Sequence, residues 1–266
     1  MREPGNRLAN LFLRYASSFA ELRRLPLIGN FLSWASRTLL PRNTLVWIQI
    51  KRGPAEGLWI RVNPRTGRNV QQGVGEPQVQ QALVDHLRPG MTFFDLGANI
   101  GYFSLIAARL VGPAGRVISF EADPEIAARL RENLARNNFS HARVEQKAVW
   151  SEDRAVSFAR VDPNTSPDRG LGHVSADSSG DTITVEGVSL DRYVTAQNSP
   201  DFLKCDVEGA EVEVFRGAEW LLAERHTILL VEMHSPQNHR ALVQKFVELG
   251  YTVRDLDENH VLALPK

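Results

Sequence analysis

Asp95-Leu96-Gly97-Ala98-Asn99-Ile100-Gly101 places a carboxylate directly before two glycines. Gly97 and Gly101 permit a tight turn and a close approach of backbone to a ligand. The turn stands between a short apolar run, Thr92–Asp95, and a helical pattern, Ile100–Leu110. A helix starting there aims its amides and its positive dipole end at whatever binds.

Two cofactor classes suit such a turn. Dinucleotides prefer G-x-G-x-x-G, in which backbone meets pyrophosphate. Here Asn99 stands where the second glycine would be, and Asp95 would repel a pyrophosphate. Beside the ammonium and sulfonium of S-adenosylmethionine (SAM) the same carboxylate attracts. The turn is therefore expected to bind SAM through Asp95, Gly97, Ala98, Asn99 and Gly101. Glu121 ends the next strand-like run, 20 residues after Gly101 (121 − 101). That is close to the spacing at which an acid reaches ribose hydroxyls. Glu121, with Ala122 beside it, is assigned to the same site. The third strand runs out near Gln146-Lys147-Ala148-Val149, so Ala148 or a neighbour is expected at the adenine.

Methyl transfer from a sulfonium is an in-line displacement. The protein must hold the acceptor oxygen near attack distance, a contribution of several kcal/mol. It must also help remove the acceptor's proton, worth about 10²–10⁴-fold. Groups for this belong at the carboxyl ends of the fourth and fifth strands. The fourth ends in Lys204-Cys205-Asp206-Val207-Glu208-Gly209. Residues 204, 206 and 208 share one side while the chain stays extended. Lys204, Asp206 and Glu208 read as an acid–base cluster or as a structural ion pair, with Lys204 able to lower the pKa of Asp206. Cys205 points the other way and reads as core. The fifth strand ends in Glu232-Met233-His234. His234 is the expected general base, because an unperturbed imidazole titrates near neutrality; a satisfied structural imidazole is the competing reading. Asp206, Glu232 and His234 also have the chemistry of a divalent-cation site, although no metal is predicted. His86, His141, His173, His226, His239 and His260 show no motif spacing and read as surface or capping residues. No His-x-x-x-His, cysteine pair or G-x-S-x-G occurs, so zinc and serine hydrolase chemistry finds no support.

These groups need a scaffold of alternating strands and helices. From residue 76 onward, strand patterns at Thr92–Asp95, Arg116–Glu121, Ala142–Glu145, Phe202–Asp206 and Thr227–Glu232 alternate with helical ones at Gln78–Leu87, Ile100–Leu110, Pro124–Asn138 and Gln237–Leu249. This α/β order predicts a mainly parallel, doubly wound sheet, with Tyr251–Val253 and His260–Leu264 to close it. Leu45–Ile50 and Leu58–Val62, separated by Arg52-Gly53-Pro54, predict a hairpin covering one edge of that sheet. Residues 1–44 read as a basic helical segment, 45–75 as the hairpin region and 76–266 as the cofactor-binding core. Val161–Asp181 is polar and aperiodic, and reads as disorder or variable surface, with a lid as the alternative.

Composition narrows the partners. The net charge is zero over 266 residues, which argues against nucleic acid. A single cysteine excludes an internal disulfide and fits a reducing, cytoplasmic setting. The charge is uneven. Residues 1–52 hold nine basic and two acidic side chains, a net +7 against −7 in the remainder. Leu8, Leu11, Phe12, Tyr15, Phe19 and Leu22 recur at helical spacing. A helix packed on the domain and a helix lying on an anionic membrane surface both fit residues 1–40. Arg14 interrupts the apolar run that a signal peptide needs, and no stretch reaches the roughly 18 apolar residues of a membrane span.

The sequence resembles the FkbM-like family of SAM-dependent methyltransferases. The resemblance is carried by Phe94–Tyr102, Phe120–Pro124, Ser189-Leu190-Asp191, Phe202–Glu211, Gly217-Ala218 and Val231–His234. It covers roughly residues 45 to 264. It implies a Rossmann-like class I methyltransferase fold with an antiparallel last strand, and O-methylation of a small molecule, natural product or saccharide. Glu76 matches a glutamate typical of the family. The resemblance places it at the cofactor's methionine end, and a favourable charge at a helix N-terminus explains it equally.

Overall fold

A computed structural model describes residues 44–63, 66–160, 172–174, 182–195 and 198–266. The expected N-terminal helical segment and most of the polar stretch 161–181 lie outside them. Strands β1 (Val46–Gln49) and β2 (Trp59–Val62) form an antiparallel hairpin. Helices α1 (Arg68–Gln72) and α2 (Pro77–His86) lead into the alternating part. There β3 (Thr92–Leu96), α3 (Tyr102–Val111), β4 (Arg116–Phe120), α4 (Pro124–Arg136) and β5 (Ala142–Glu145) follow one another. Four short strands come next: β6 (Ala148–Val149), β7 (Arg154–Ala159), β8 (His173–Val174) and β9 (Thr182–Val188). Then come α5 (Leu190–Tyr193), β10 (Phe202–Cys205), α6 (Glu211–Arg216) and α7 (Glu219–Ala223). The chain ends with β11 (Ile228–Glu232), α8 (Pro236–Glu248), β12 (Thr252–Asp255) and β13 (His260–Leu264).

The main sheet has the order β12-β13-β11-β10-β3-β4-β5. β11, β10, β3, β4 and β5 pair in parallel, and β13 runs antiparallel between β11 and β12. Strand order reverses between β3 and β10, the place where such sheets open a crevice. Helices cover both faces, so the central strands are mostly apolar; all four residues of β10 are buried, Lys204 among them. One apolar cluster joins Phe93, Phe202 and Leu230 to α2, α3, α4 and the hairpin. The other joins Phe94, Leu203 and Val231 to α6, α7 and α8. Helix α4 is capped by Asp123, whose side chain accepts from the amides of Glu125 and Ile126, with Pro124 in the first turn.

Three sequence expectations change. The hairpin does not cover a sheet edge; it lies on α4. Asn133 and Asn137 accept the Arg61 and Trp59 amides at 2.8 Å, so helix side chains complete the outer edge of β2. Arg136 stacks on Trp47 and Trp59. Helix α1 replaces part of the region read as strands and turns. A second sheet, β6-β9-β7-β8, fills the span between β5 and α5, and β8 lies inside the stretch read as irregular.

Candidate functional site

The turn after β3 is closed upon itself. The amides of Gly97 and Ala98 both donate to Phe120 O, Asn99 N donates to Glu121 Oε2, Ile100 N donates to Asn99 Oδ1, and Gly101 N donates to Ala98 O. None of these five turn amides is left for a ligand. The two glycines also serve packing. Gly97 has φ +72°, and a Cβ there would overlap the backbone oxygen of Asp206. Gly101 has φ +86°, and its Cβ would overlap the Leu130 side chain on α4. Asn99 adopts φ +50°, which its short polar side chain tolerates.

Beyond this turn lies a cleft of about 640 Å³, counting its open mouth. Gly97, Asn99, Glu121, Ala122, Ala148, Asp206 and Glu208 all border it. The small sheet adds Phe158, His173 and Val174 as a wall. Sequence reasoning missed that wall, because the short strands that carry it pair only with one another. Glu121 is buried and accepts from Asn99 N at 2.9 Å and Asp123 N at 2.8 Å. Burial, against those two amides, raises its pKa to about 7. Each carboxylate oxygen retains a lone pair for a further donor.

Asp95, Ala98 and Gly101 sit behind the turn and do not border the cleft. The Asp95 side chain is 1% exposed; Ser104 Oγ donates to its Oδ2 at 2.5 Å, while buried Oδ1 has no hydrogen-bond partner. Burial raises the Asp95 pKa, opposed by Lys204 and Ser104. Lys204 Nζ lies 3.0 Å from Asp206 Oδ2, 3.8 Å from Asp95 Oδ1 and 5.1 Å from the Phe103 ring centroid. Burial alone would lower the Lys204 pKa, but Asp206, Asp95 and Glu76 outweigh it and the group stays charged. Asp206 is held low: burial opposes ionisation and Lys204 overcomes it.

Strand β10 ends at Cys205, so alternation does not extend to Glu208 as expected. Glu208 instead takes φ +53°, and the turn brings its carboxylate to His234 Nε2 at 3.3 Å. Cys205 is fully buried, as read. His234 lies between acids. Its Nδ1 is 2.7 Å from Glu211 Oε1, and its Nε2 is 3.8 Å from Asp206 and 3.9 Å from Glu232. Glu211 is fully buried, and it also accepts from Gly209 N and Asn238 Nδ2. Those donors hold it ionised against the cost of burial. The hydrogen bond to Glu211 lifts the His234 pKa to about 9. The expectation of an imidazole titrating near neutrality is therefore corrected: at neutral pH His234 carries its proton. Glu211 had stood in the quoted motif without a role; only the tertiary contact reveals it.

His260, read from sequence as a surface or capping residue, is buried. Its Nδ1 lies 2.8 Å from Asp257, and its Nε2 faces Glu76 at 3.4 Å and Glu232 at 3.7 Å. The carboxylates raise its pKa to about 10 against the effect of burial. Glu76 stands at the N-cap of α2 with φ +44° and makes no capping bond; its carboxylate faces His260 instead. Tyr102 Oη, buried and without a hydrogen-bond partner, feels the Glu76 charge. His173 is exposed on β8, while His226 and His239 pair with Asp201 and Asp255.

The Methyltransferase FkbM domain model matches residues 95–253 of this chain. Among curated relatives, the hexuronic acid methyltransferase AglP of Haloferax volcanii is 27% identical over 202 residues, covering 71% of this chain and 80% of that protein. The arsenite methyltransferase of Halobacterium salinarum is 38% identical over 72 residues, 27% of this chain and 17% of that protein. The protein-L-isoaspartate O-methyltransferase of Triticum aestivum is 39% identical over 78 residues, 29% of this chain and 30% of that protein. The chain thus spans less than a third of the length of those two relatives. Among solved structures, a methyltransferase FkbM from Methylobacillus flagellatus KT aligns at 16% identity and a TM-score of 0.48, over 74% of this chain and 55% of that one.

Proposed function

Because this chain belongs to the FkbM methyltransferase family and carries the Rossmann-like class I methyltransferase fold, we propose that it moves the methyl group of SAM to a hydroxyl oxygen of a small molecule or saccharide. The single observation that carries the cofactor is the closed turn: every amide from Gly97 to Gly101 is satisfied within the protein. A pyrophosphate seated on this turn would need those donors, which disfavours a dinucleotide there; a nucleoside without phosphate loses nothing. The donor set fits. Glu121 offers acceptors for ribose hydroxyls, and Ala122 and Ala148 a small apolar surface for a ring. Gly97 and Asn99 border the same space, and Ala98 and Gly101 shape the turn from behind.

Bound SAM supplies an electrophilic methyl on a sulfonium. The protein supplies the rest. Asp206 and Glu208 face the cleft and Lys204 holds Asp206 ionised and in place. Those carboxylates accept from the acceptor's hydroxyls and orient the attacking oxygen. His234, fixed by Glu211 through Nδ1, presents Nε2 beside them and takes the hydroxyl proton when unprotonated. A sulfonium placed nearby lowers its pKa by like-charge repulsion and increases the fraction ready to act. The saccharide reading draws on the Haloferax relative's name. Titration calorimetry with SAM and with NAD tests the cofactor; heat from NAD alone would overturn it. Incubation with labelled SAM and fractionated extract, followed by mass spectrometry, tests the acceptor. A product methylated on nitrogen or carbon would reject oxygen.

A further inference from the structure

Among the described residues, His260 Nε2 is a buried ring nitrogen outside the cleft that faces two carboxylates without a hydrogen bond to either. The side chain is 8% exposed, and no hydrogen bond reaches Nε2. Nδ1 is committed to Asp257 at 2.8 Å, and Nε2 meets its neighbours through ion-pair contacts alone. Two carboxylate oxygens face it, from Glu76 at 3.4 Å and Glu232 at 3.7 Å. These separations exceed the 2.7–3.2 Å range typical of a hydrogen bond. They match ligand-to-ligand separations around a small cation: bonds of about 2.0–2.1 Å at tetrahedral angles put neighbouring ligand atoms about 3.4 Å apart. The three ligand atoms lie within 4.8 Å of one another.

The geometry points to a divalent transition-metal site formed by Glu76, Glu232 and His260. Asp257 completes the arrangement seen around metal-bound histidines, in which a carboxylate on the far ring nitrogen fixes the orientation of the ligand nitrogen. One imidazole beside two carboxylates favours a transition cation, borderline Zn²⁺ or the harder Mn²⁺, over Mg²⁺ or Ca²⁺, which take oxygen ligands. Three protein ligands leave a position open. Glu232 turns its other oxygen toward His234 at 3.9 Å. The assignment commits Glu76 to the cation rather than to the cofactor's ammonium. It stands independently of methyl transfer, since a chain that binds no SAM can still bind the ion.

Titration of the metal-free full chain with Mn²⁺ and with Zn²⁺ is expected to show one equivalent bound, with Mg²⁺ at least ten-fold weaker. Glu76→Gln and His260→Gln are expected to lower Mn²⁺ affinity at least ten-fold, and Asp257→Asn to lower it about ten-fold. Glu152→Gln, remote and exposed, should leave it unchanged. Should His260→Gln fail to fold, Glu76→Gln still decides, because the Glu76 side chain is 42% exposed. Saturating S-adenosylhomocysteine should not displace Mn²⁺. Absence of binding, equal binding by Glu76→Gln, or competitive displacement by S-adenosylhomocysteine would each overturn the assignment. Whether SAM itself binds is measured in a separate titration, so the two readings fail separately.

Discussion

His234 owes its behaviour to Glu211, which raises its pKa to about 9. A base must be unprotonated, so kcat/KM should climb with pH between about 7 and 9 and level off above. His234→Ala should lower turnover by about 10²–10⁴-fold and abolish that limb, with SAM affinity nearly intact. Glu211→Gln should move the limb toward the ordinary imidazole range, near 6.5. A flat wild-type profile over pH 7–9 would make His234 structural. The turn makes a separate prediction. Gly97→Val places side-chain atoms against the Asp206 carbonyl at φ +72°, so SAM heat in calorimetry should vanish; retained affinity would displace the cofactor from the turn. Sequence alone revealed the residue types at these strand ends. It did not reveal Glu211 or His260 as site residues. The reason is register: His260 meets Glu232 only because β13 pairs antiparallel with β11, which brings residues 28 positions apart face to face (260 − 232).

At the level of elements, the alternating strands and helices were legible because long apolar runs and helical spacing survive in a buried parallel sheet. The second sheet was not. Its strands β7 and β9 are half exposed, and β8 is two residues long within a Ser-, Asp- and Gly-rich stretch. The seat of the hairpin was hidden for another reason. Its outer edge is completed by side chains of α4, not by another strand, and Asn133 supplies the deepest of these bonds. Asn133 is fully buried, accepts from Arg61 N and donates to Ile100 O. Asn133→Ala leaves both backbone groups without partners and should cost about 1–3 kcal/mol for each one that water cannot reach. Urea unfolding would read the loss as a lower midpoint. An unchanged midpoint would show that the hairpin contributes nothing through this contact.

Across the whole molecule, charge separates along the chain: the first 52 residues carry +7 and the rest −7. No helix among the described residues is long and apolar enough to cross a membrane. A basic, apolar-rich segment draws toward anionic surfaces, each basic group near such a surface contributing about 1 kcal/mol. Deleting residues 1–40 should leave SAM binding intact and reduce co-sedimentation with phosphatidylserine vesicles; equal pelleting of both forms would exclude the surface role.

Buried Lys204 has a consequence for how the sheet assembles. It lies opposite Asp95 in the β3–β10 register and bonds to Asp206. Sliding β10 by one position would turn the ammonium toward the opposite, apolar face. Leaving its carboxylate partners unpaired costs about 3–5 kcal/mol, a large fraction of the 5–15 kcal/mol that separates typical folded domains from unfolded chains. Apolar neighbours on either side of Lys204 tolerate many alignments; the ammonium tolerates one. The charge therefore acts during folding as an address label, admitting the single strand alignment that also sets the two halves of the site side by side.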